Sequence, residues 1–436
     1  MPSTFASSWV AWVTASTPKE TGHDTSVSRE APSLGTSGST RARRPSCLWE
    51  DTGCRLSQTI RSPSRYRSLD FWRGVACLLV VVFHSTFYVS TAELDEQVKH
   101  LQVDDLASLA VWATSRFWLG VPLFFVISGY CIAASASAMA RTDYSTTRYF
   151  QRRFRRIYPP LWIFLIVSCA AVGVVEWIRP GAMSAGDHAI PAPWSLSRWN
   201  YLGSVTLTET WRGHLTGQAS RAGLPFGHMW TLCYGEQFYA VVGVLLFVDR
   251  RRVFAGAACV TAAVALMGLF LPTEALDGFF FDELWLQFAA GMAVFVALTR
   301  LHTQGRAALA AALLVACAWQ FRDLTAVTAF HETPAQGYMA AFGFAALLLV
   351  LHRYDDHIHG AALARPTIWC GQMCYSLYLV HWPVVKLASH AAYALGVRSA
   401  GATLILTVPV CIALSAGIAW VFHRLVERQF LNTPVA

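Results

Sequence analysis

Charge is what this chain of 436 residues has least of: Asp, Glu, Lys and Arg make up 14% of it, against 55% hydrophobic residues. Soluble globular domains carry roughly 25% charged residues, so about half of the usual solubilising surface is missing. The mean hydropathy of +0.40 agrees. This balance disfavours a soluble enzyme, a disordered chain and a secreted disulfide scaffold. No CxxC pair is present. Among the 11 cysteines, Cys77, Cys131, Cys169, Cys233, Cys259, Cys317 and Cys411 lie in or beside apolar segments, where Cys behaves as a small hydrophobe. Cys370 and Cys374 stand one helical turn apart in an equally apolar context, and the spacings suggest neither a disulfide framework nor a metal set. Trp at 17 and Phe at 26 supply the aromatic load of a chain that meets lipid interfaces. These features describe a polytopic membrane protein.

The net charge of +8 falls largely in short segments between apolar runs, which fits membrane topology better than a nucleic-acid face. Residues 1–64 are rich in Ser, Thr, Pro and Arg without sustained periodicity and read as a disordered cytoplasmic tail. The apolar piece Trp9–Val13 is too short to span and has no basic residue before it, so it is not read as a signal peptide.

From Leu69 onward, apolar runs of about 17 to 25 residues alternate with short polar breaks, the length that a hydrocarbon core of ~30 Å requires. Ten runs can be counted, near 69–90, 114–138, 157–177, 229–248, 253–271, 281–299, 307–321, 336–352, 368–390 and 401–423. Alternate breaks are basic: Arg148, Arg152, Arg153, Arg155 and Arg156; Arg250, Arg251 and Arg252; Arg300 and Arg306; Arg353 and Arg365. By the positive-inside rule these breaks are cytoplasmic. The expectation is an all-α integral membrane protein of about ten transmembrane helices with both termini cytoplasmic. Its membrane domain covers 65–430, with a long outer loop at 178–228, and 431–436 form a short tail. The loop carries Trp194, Trp199, Trp211, His188 and His214; its aromatics suit stacking on sugar faces and equally suit lying on a membrane surface.

Ionisable residues inside spans are costly and are functional candidates by default. In the first span His84 follows Arg73 by eleven residues, about three helical turns, so the two share a face ~16 Å apart along the axis. Asp70, one turn before Arg73, can pair with it. His84 can be read as packing glue between helices or as a general base, since a near-neutral imidazole can take a proton from an attacking hydroxyl. In the second span Pro122, Ser128 and Gly129 allow a kink and close helix approach; no GxSxG elbow marks Ser128 as a nucleophile.

The run Arg152-Arg153-Phe-Arg155-Arg156-Ile-Tyr-Pro-Pro160 exceeds what topology needs. Arg153 and Arg156, at i,i+3 on one helix face, are the candidate pair for an anionic ligand. Further candidates are Trp230 and Glu236 at the start of the fourth span, and Tyr375 and His381 late in the chain. Glu427 reads as an unremarkable interfacial charge. His352-Arg-Tyr-Asp-Asp-His357-Ile-His359 resembles a metal motif only superficially, because further ligands at defined spacing are lacking; no metal is expected.

Taken together, these segments resemble the acyltransferase 3 family of integral-membrane acyltransferases that O-acetylate envelope polysaccharides, lipooligosaccharides and some antibiotics. The resemblance covers about residues 66–430. It rests on Arg73 and His84 with ten positions between them, Phe124-Phe125-Val-Ile-Ser128-Gly129, and Arg153-Phe-Arg-Arg156-Ile-Tyr-Pro159. His228-Met-Trp230-Thr-Leu with Glu236-Gln-Phe-Tyr239, and Tyr375-Ser-Leu-Tyr-Leu-Val-His381-Trp-Pro383, complete it. Two positions depart from the pattern: Gly235 stands where the family often has Glu, and the proline of the closing Val-Glu-x-Pro is missing after Glu427.

The resemblance implies a bacterial inner-membrane O-acyltransferase with no permanently bound cofactor. Acyl-CoA, by preference acetyl-CoA, would be the co-substrate, and a glycan, glycolipid or small hydroxylated molecule the acceptor. His84 would deprotonate the acceptor or carry the acyl group, Arg73 would help hold the donor or steady developing negative charge, and Arg153 with Arg156 would hold donor phosphates. A proton-coupled secondary transporter and a catalytically inactive relative are the alternatives. Transporters often show internal repeats, and no second copy of the Arg73/His84 pattern occurs in the later half.

Overall fold

The computed structural model describes residues 66–87, 106–141, 145–184, 189–216, 225–271, 278–282, 284–328 and 333–431. The tail expected over 1–64, His188 and residues 432–436 lie outside them. The chain divides into Met1–Ile60 and Arg61–Ala436, and the described residues all belong to the second unit.

Among the described residues every regular element is helical, the form in which an apolar segment satisfies its backbone groups internally. A helix stands at each of the ten apolar runs: α1 (Leu69–Phe87), α2 (Gly120–Ala140), α3 (Thr146–Ile178), α4 (Trp230–Asp249) and α5 (Val253–Phe270). α6 (Leu284–Arg300), α7 (Thr303–Trp319), α8 (Pro334–Leu351), α9 (Cys374–Ala394) and α10 (Ala400–Phe430) follow.

Six stretches among the described residues are long and apolar enough to cross a membrane: Leu69–Thr86, Phe117–Ala140, Thr146–Ile178, Gly227–Gly268, Pro334–Gly360 and Ala400–Phe430. The difference from ten has physical causes. Gly227–Gly268 contains both α4 and α5, which double back at Arg250–Arg252, since a Cβ on Gly256 would stand 2.8 Å from the Leu245 side chain. Asp249 fixes that turn by accepting from the Arg251 and Arg252 amides at 2.9 and 3.2 Å. Helices α6 and α7 have 17 residues each, and α9 is diluted by His381 and Lys386.

Small residues let the central helices cross closely. A Cβ on Gly129 of α2 would lie 1.9 Å from the Phe288 carbonyl oxygen of α6, and one on Gly291 of α6 would lie 1.8 Å from the Val126 carbonyl oxygen of α2. The close approach expected of Gly129 is therefore to α6, and it is reciprocal. The same device clamps α1 to the short helix Arg365–Gln372, where Gly74 meets the Thr367 carbonyl and Gly371 meets the Asp70 carbonyl. Backbone atoms cannot yield as a side-chain tip can, so Gly291→Ala should lower the melting temperature of the detergent-solubilised protein. The cost expected is the 1–3 kcal/mol typical of overpacking; an unchanged melting curve would count against this crossing.

The segment expected as an outer loop at 178–228 is, over its described residues, folded back along α3. Pro193 and Trp194 lie beside Gly173, Trp162 Nε1 donates to the Val205 carbonyl at 3.0 Å, and the Tyr158 hydroxyl donates to the Thr206 carbonyl at 3.4 Å. From Ile178 to Tyr158 is about 30 Å of helix at 1.5 Å per residue, so the segment retraces most of a bilayer thickness. Trp199, Leu202 and Val205, three apart on the helix Arg198–Thr206, are exposed on its outer face.

The tip turns at Leu207, a buried non-glycine residue in the left-handed region (φ 55°). That conformation costs about 1–2 kcal/mol. It is braced by the buried Glu209, which accepts from Asn200 at 3.1 Å and pairs with Arg212 at 2.5 Å. Gln237 of α4 reaches Thr210 at 3.4 Å. The expected outer loop therefore does not stay outside the bundle; the structure brings its tip to the level of Glu236.

Two apolar clusters make up the core. One centres on Phe125, Phe238, Trp285 and Phe288, the other on Leu161, Phe164, Met229 and Leu377. The candidate site opens on the seam between them.

Candidate active site

A cavity of about 180 Å³ on this seam is lined by Arg73 of α1, Ser128 of α2, Arg153 and Arg156 of α3, Glu236 of α4 and Tyr375 of α9. Six of the residues singled out from sequence thus converge from five helices. Three guanidiniums face one carboxylate here, a balance that favours an anion. The walls between them are apolar or aromatic, including Val80, Phe124, Phe125 and Phe238.

Several of the polar groups are held by local partners. Arg73 donates to Asp70 at 2.6 Å, which realises the expected pairing, and a second guanidinium nitrogen reaches the Cys131 sulfur at 2.8 Å. Arg153 lies 3.7 Å over the Tyr239 ring, a cation–π contact that positions the guanidinium; its Nε makes no hydrogen bond. The Glu236 Oε1 is likewise buried without a hydrogen-bond partner. Tyr375 ties α9 to α3 by donating to the Ile157 carbonyl at 2.8 Å. Gly235 also lines the cavity, and a Cβ there would meet only the Tyr239 ring edge at 4.0 Å. The departure from the family pattern at this position leaves open space.

His84 does not line the cavity. Val80, which does, lies one turn before it on α1. His84 is 8% exposed and packs edge-on against Trp382, with ring centroids 4.5 Å apart, and beside His381 at 5.4 Å. His228, at the entry to α4, completes the cluster, 5.0 Å from His381 and stacked on Trp382 at 5.5 Å. Tyr378 forms the wall between cavity and cluster. Its ring is 5.0 Å from that of His228, its hydroxyl donates to the His228 carbonyl, and it accepts from Thr231 at 2.8 Å. Trp230 sits apart from both, packed on Phe125 and Tyr234 with centroids at 6.3 and 5.8 Å.

The candidates that sequence singles out do not include His228, Tyr378, Tyr239 and Cys131. The first three stand in the quoted motifs, but their roles appear only once α4 and α9 are side by side. Asp355, part of the superficial metal motif, serves the fold instead. It accepts from the Arg67 and Ser68 amides at 2.7 and 2.8 Å and so anchors the start of α1.

Glu427 is not an interfacial charge. It is 2% exposed and accepts from the Ser376 amide at 3.2 Å and the Ser376 hydroxyl at 2.5 Å, while His423 pairs with it at 2.9 Å. A wider helical turn at His423–Glu427 directs the carboxylate at the N-terminus of α9, where negative charge is favoured. Through that contact it fixes the helix bearing Tyr375, Tyr378 and His381. Glu427→Gln weakens charge-assisted hydrogen bonds worth about 1.5–3 kcal/mol each. A lower melting temperature and reduced transfer are expected together, and an unaltered protein would show that the capping contact is dispensable.

Comparison with known proteins identifies the family of the chain. A family model described as an acyltransferase domain matches residues 66–424. A protein of Komagataeibacter xylinus named as a membrane-bound transacylase is 27% identical over 343 residues, covering 76% of this chain and 75% of its own. One of Bacillus subtilis named as a peptidoglycan O-acetyltransferase is 25% identical over 74% of this chain, which spans only 49% of it. An acyltransferase of Streptomyces mycarofaciens is 24% identical over 84% of this chain and 92% of its own. No solved structure matches.

Proposed function

The chain belongs to the acyltransferase 3 family, and from that premise we propose that it moves an acyl group, by preference acetyl, from acyl-CoA to a hydroxyl of a saccharide or related acceptor. We place it in the bacterial inner membrane with ten crossings, both termini and the Arg148–Arg156 cluster on the cytoplasmic side. The observation that carries the donor reading is the cavity, where Arg73, Arg153 and Arg156 meet around a largely apolar space. Guanidiniums suit phosphate groups, and the apolar walls suit a pantetheine arm. The glycan acceptor draws support from the name of the Bacillus relative.

In this scheme Arg153 and Arg156 hold donor phosphates, and the thioester extends toward Val80 and Tyr378. Movement of Tyr378 would admit it to His84. The acceptor hydroxyl then attacks the thioester carbonyl while His84 takes its proton. As the carbon–sulfur bond breaks, the proton passes to the CoA sulfur, so no net proton is released. Arg73, about 16 Å from His84 along α1 and beside Arg153 and Arg156 in the cavity, helps hold the donor.

Reconstitution in proteoliposomes separates this from a transport function. Thioester consumption with acylated acceptor as product is the expected outcome. Uptake of a solute down a proton gradient, without thioester consumption, would favour a transporter.

A further inference from the structure

His381 carries a feature that the transfer scheme leaves unused. Its ring is 1% exposed, and Nδ1 lies 2.6 Å from the Tyr378 carbonyl oxygen and 3.2 Å from that of Leu377. Carbonyl oxygens only accept, so in the neutral ring the hydrogen sits on Nδ1 and Nε2 is a bare acceptor. Because Nδ1 is bound to its own helix backbone, the Nε2 edge points away from α9. That nitrogen has no hydrogen-bond partner, an unmet buried acceptor of the kind that structures retain where it serves a purpose.

Two imidazoles lie across from it: His84 with centroids at 5.4 Å and planes inclined by 34°, and His228 at 5.0 Å and 68°. The first spacing puts ring edges within reach of a direct or single-water hydrogen bond. Of the two other rings in the cluster, His381 is the one that lies beside His84 with its own hydrogen assigned by the backbone.

We propose that His381 is a positioning residue for His84: during transfer its Nε2 accepts the N–H of the His84 ring, directly or through one water, which turns the other His84 nitrogen toward the acceptor hydroxyl. This rests on the acyltransferase reading of His84. The proton leaves the hydroxyl as the new oxygen–carbon bond forms, resides on His84 while His381 holds the opposite N–H, and passes to the CoA sulfur as the carbon–sulfur bond breaks. His381 stays neutral and nothing is oxidised.

The test uses the full chain in lipid nanodiscs, comparing wild type, His84→Ala, His381→Leu and His381→Gln with acetyl-CoA and a glycan acceptor. Leucine fills space without accepting, whereas the glutamine amide oxygen can accept. His381→Leu should lower kcat about 100-fold or more with the donor KM within about twofold, and His381→Gln should recover at least about tenfold of that loss. Wild-type kcat in His381→Leu, or equal impairment in Leu and Gln, would overturn the proposal.

A second readout does not depend on turnover. In ¹⁵N-histidine spectra of the wild type, the ring signals missing from His381→Gln should be those of a protonated Nδ1 and a bare Nε2. A protonated Nε2 would overturn the proposal. If the wild type transfers nothing, the acyltransferase reading fails by itself, while the spectra still decide the tautomer on which the His381 role depends.

Discussion

His84→Ala should leave a folded protein that no longer transfers acyl groups. Folding survives because α1 is held by contacts elsewhere: the Gly74 and Gly371 crossings, the Asp355 anchor at its start and the Asp70–Arg73 pair. Alanine is also the best helix former. Truncating a ring packed on Trp382 should cost the 0.5–3 kcal/mol common for single substitutions, enough to lower the melting temperature without unfolding the chain. The loss of activity should be far larger, since a positioned general base contributes about 100- to 10,000-fold. His84→Gln, which keeps polarity and approximate size without basicity, should be almost equally inactive. Turnover within about tenfold of wild type in either variant, with a normal melting curve, would remove His84 from the mechanism.

The double substitution Arg153→Ala with Arg156→Ala should raise the donor KM by about 100-fold or more and change the acceptor KM little. Charge-assisted hydrogen bonds contribute about 1.5–3 kcal/mol each, and every 1.4 kcal/mol is tenfold in affinity. Arg155 serves as the internal control. It belongs to the same basic run but is exposed and donates to the Gln429 carbonyl at 3.3 Å, outside the cavity. Arg155→Ala should leave the donor KM within about twofold. If all three positions behaved alike, the run would be serving membrane orientation and not a ligand.

The helices and the cavity-lining candidates were legible in the sequence for separate reasons. Apolar length writes itself into composition, so a helix stands at each of the ten runs. A charge placed in such a run is conspicuous, which marks Arg73 and Glu236, whereas Arg153 and Arg156 stand out as part of a basic run in excess of what topology needs. The hairpin behind Leu207 was not legible, because its position depends on Tyr158 and Trp162 meeting carbonyls more than forty residues later in the chain.

The burial of Glu427 is not legible in the sequence for a similar reason. Its burial depends on the widened turn at His423–Glu427 and on Ser376, 51 residues earlier. His228 stood in a recognised motif, yet its neighbour His381 lies on another helix, and no local pattern joins them. Long-range pairing of polar groups is the layer of information that composition and periodicity do not carry.

The central claim is tested most directly by measuring free CoA released from acetyl-CoA by the purified protein, wild type against His84→Ala, with membrane glycan extract as acceptor. Release should depend on the extract and on His84, with labelled acetyl recovered in the glycan fraction. Release that is equal in the two proteins, or none from a well-folded wild type across several short acyl-CoAs and acceptor extracts, would contradict it.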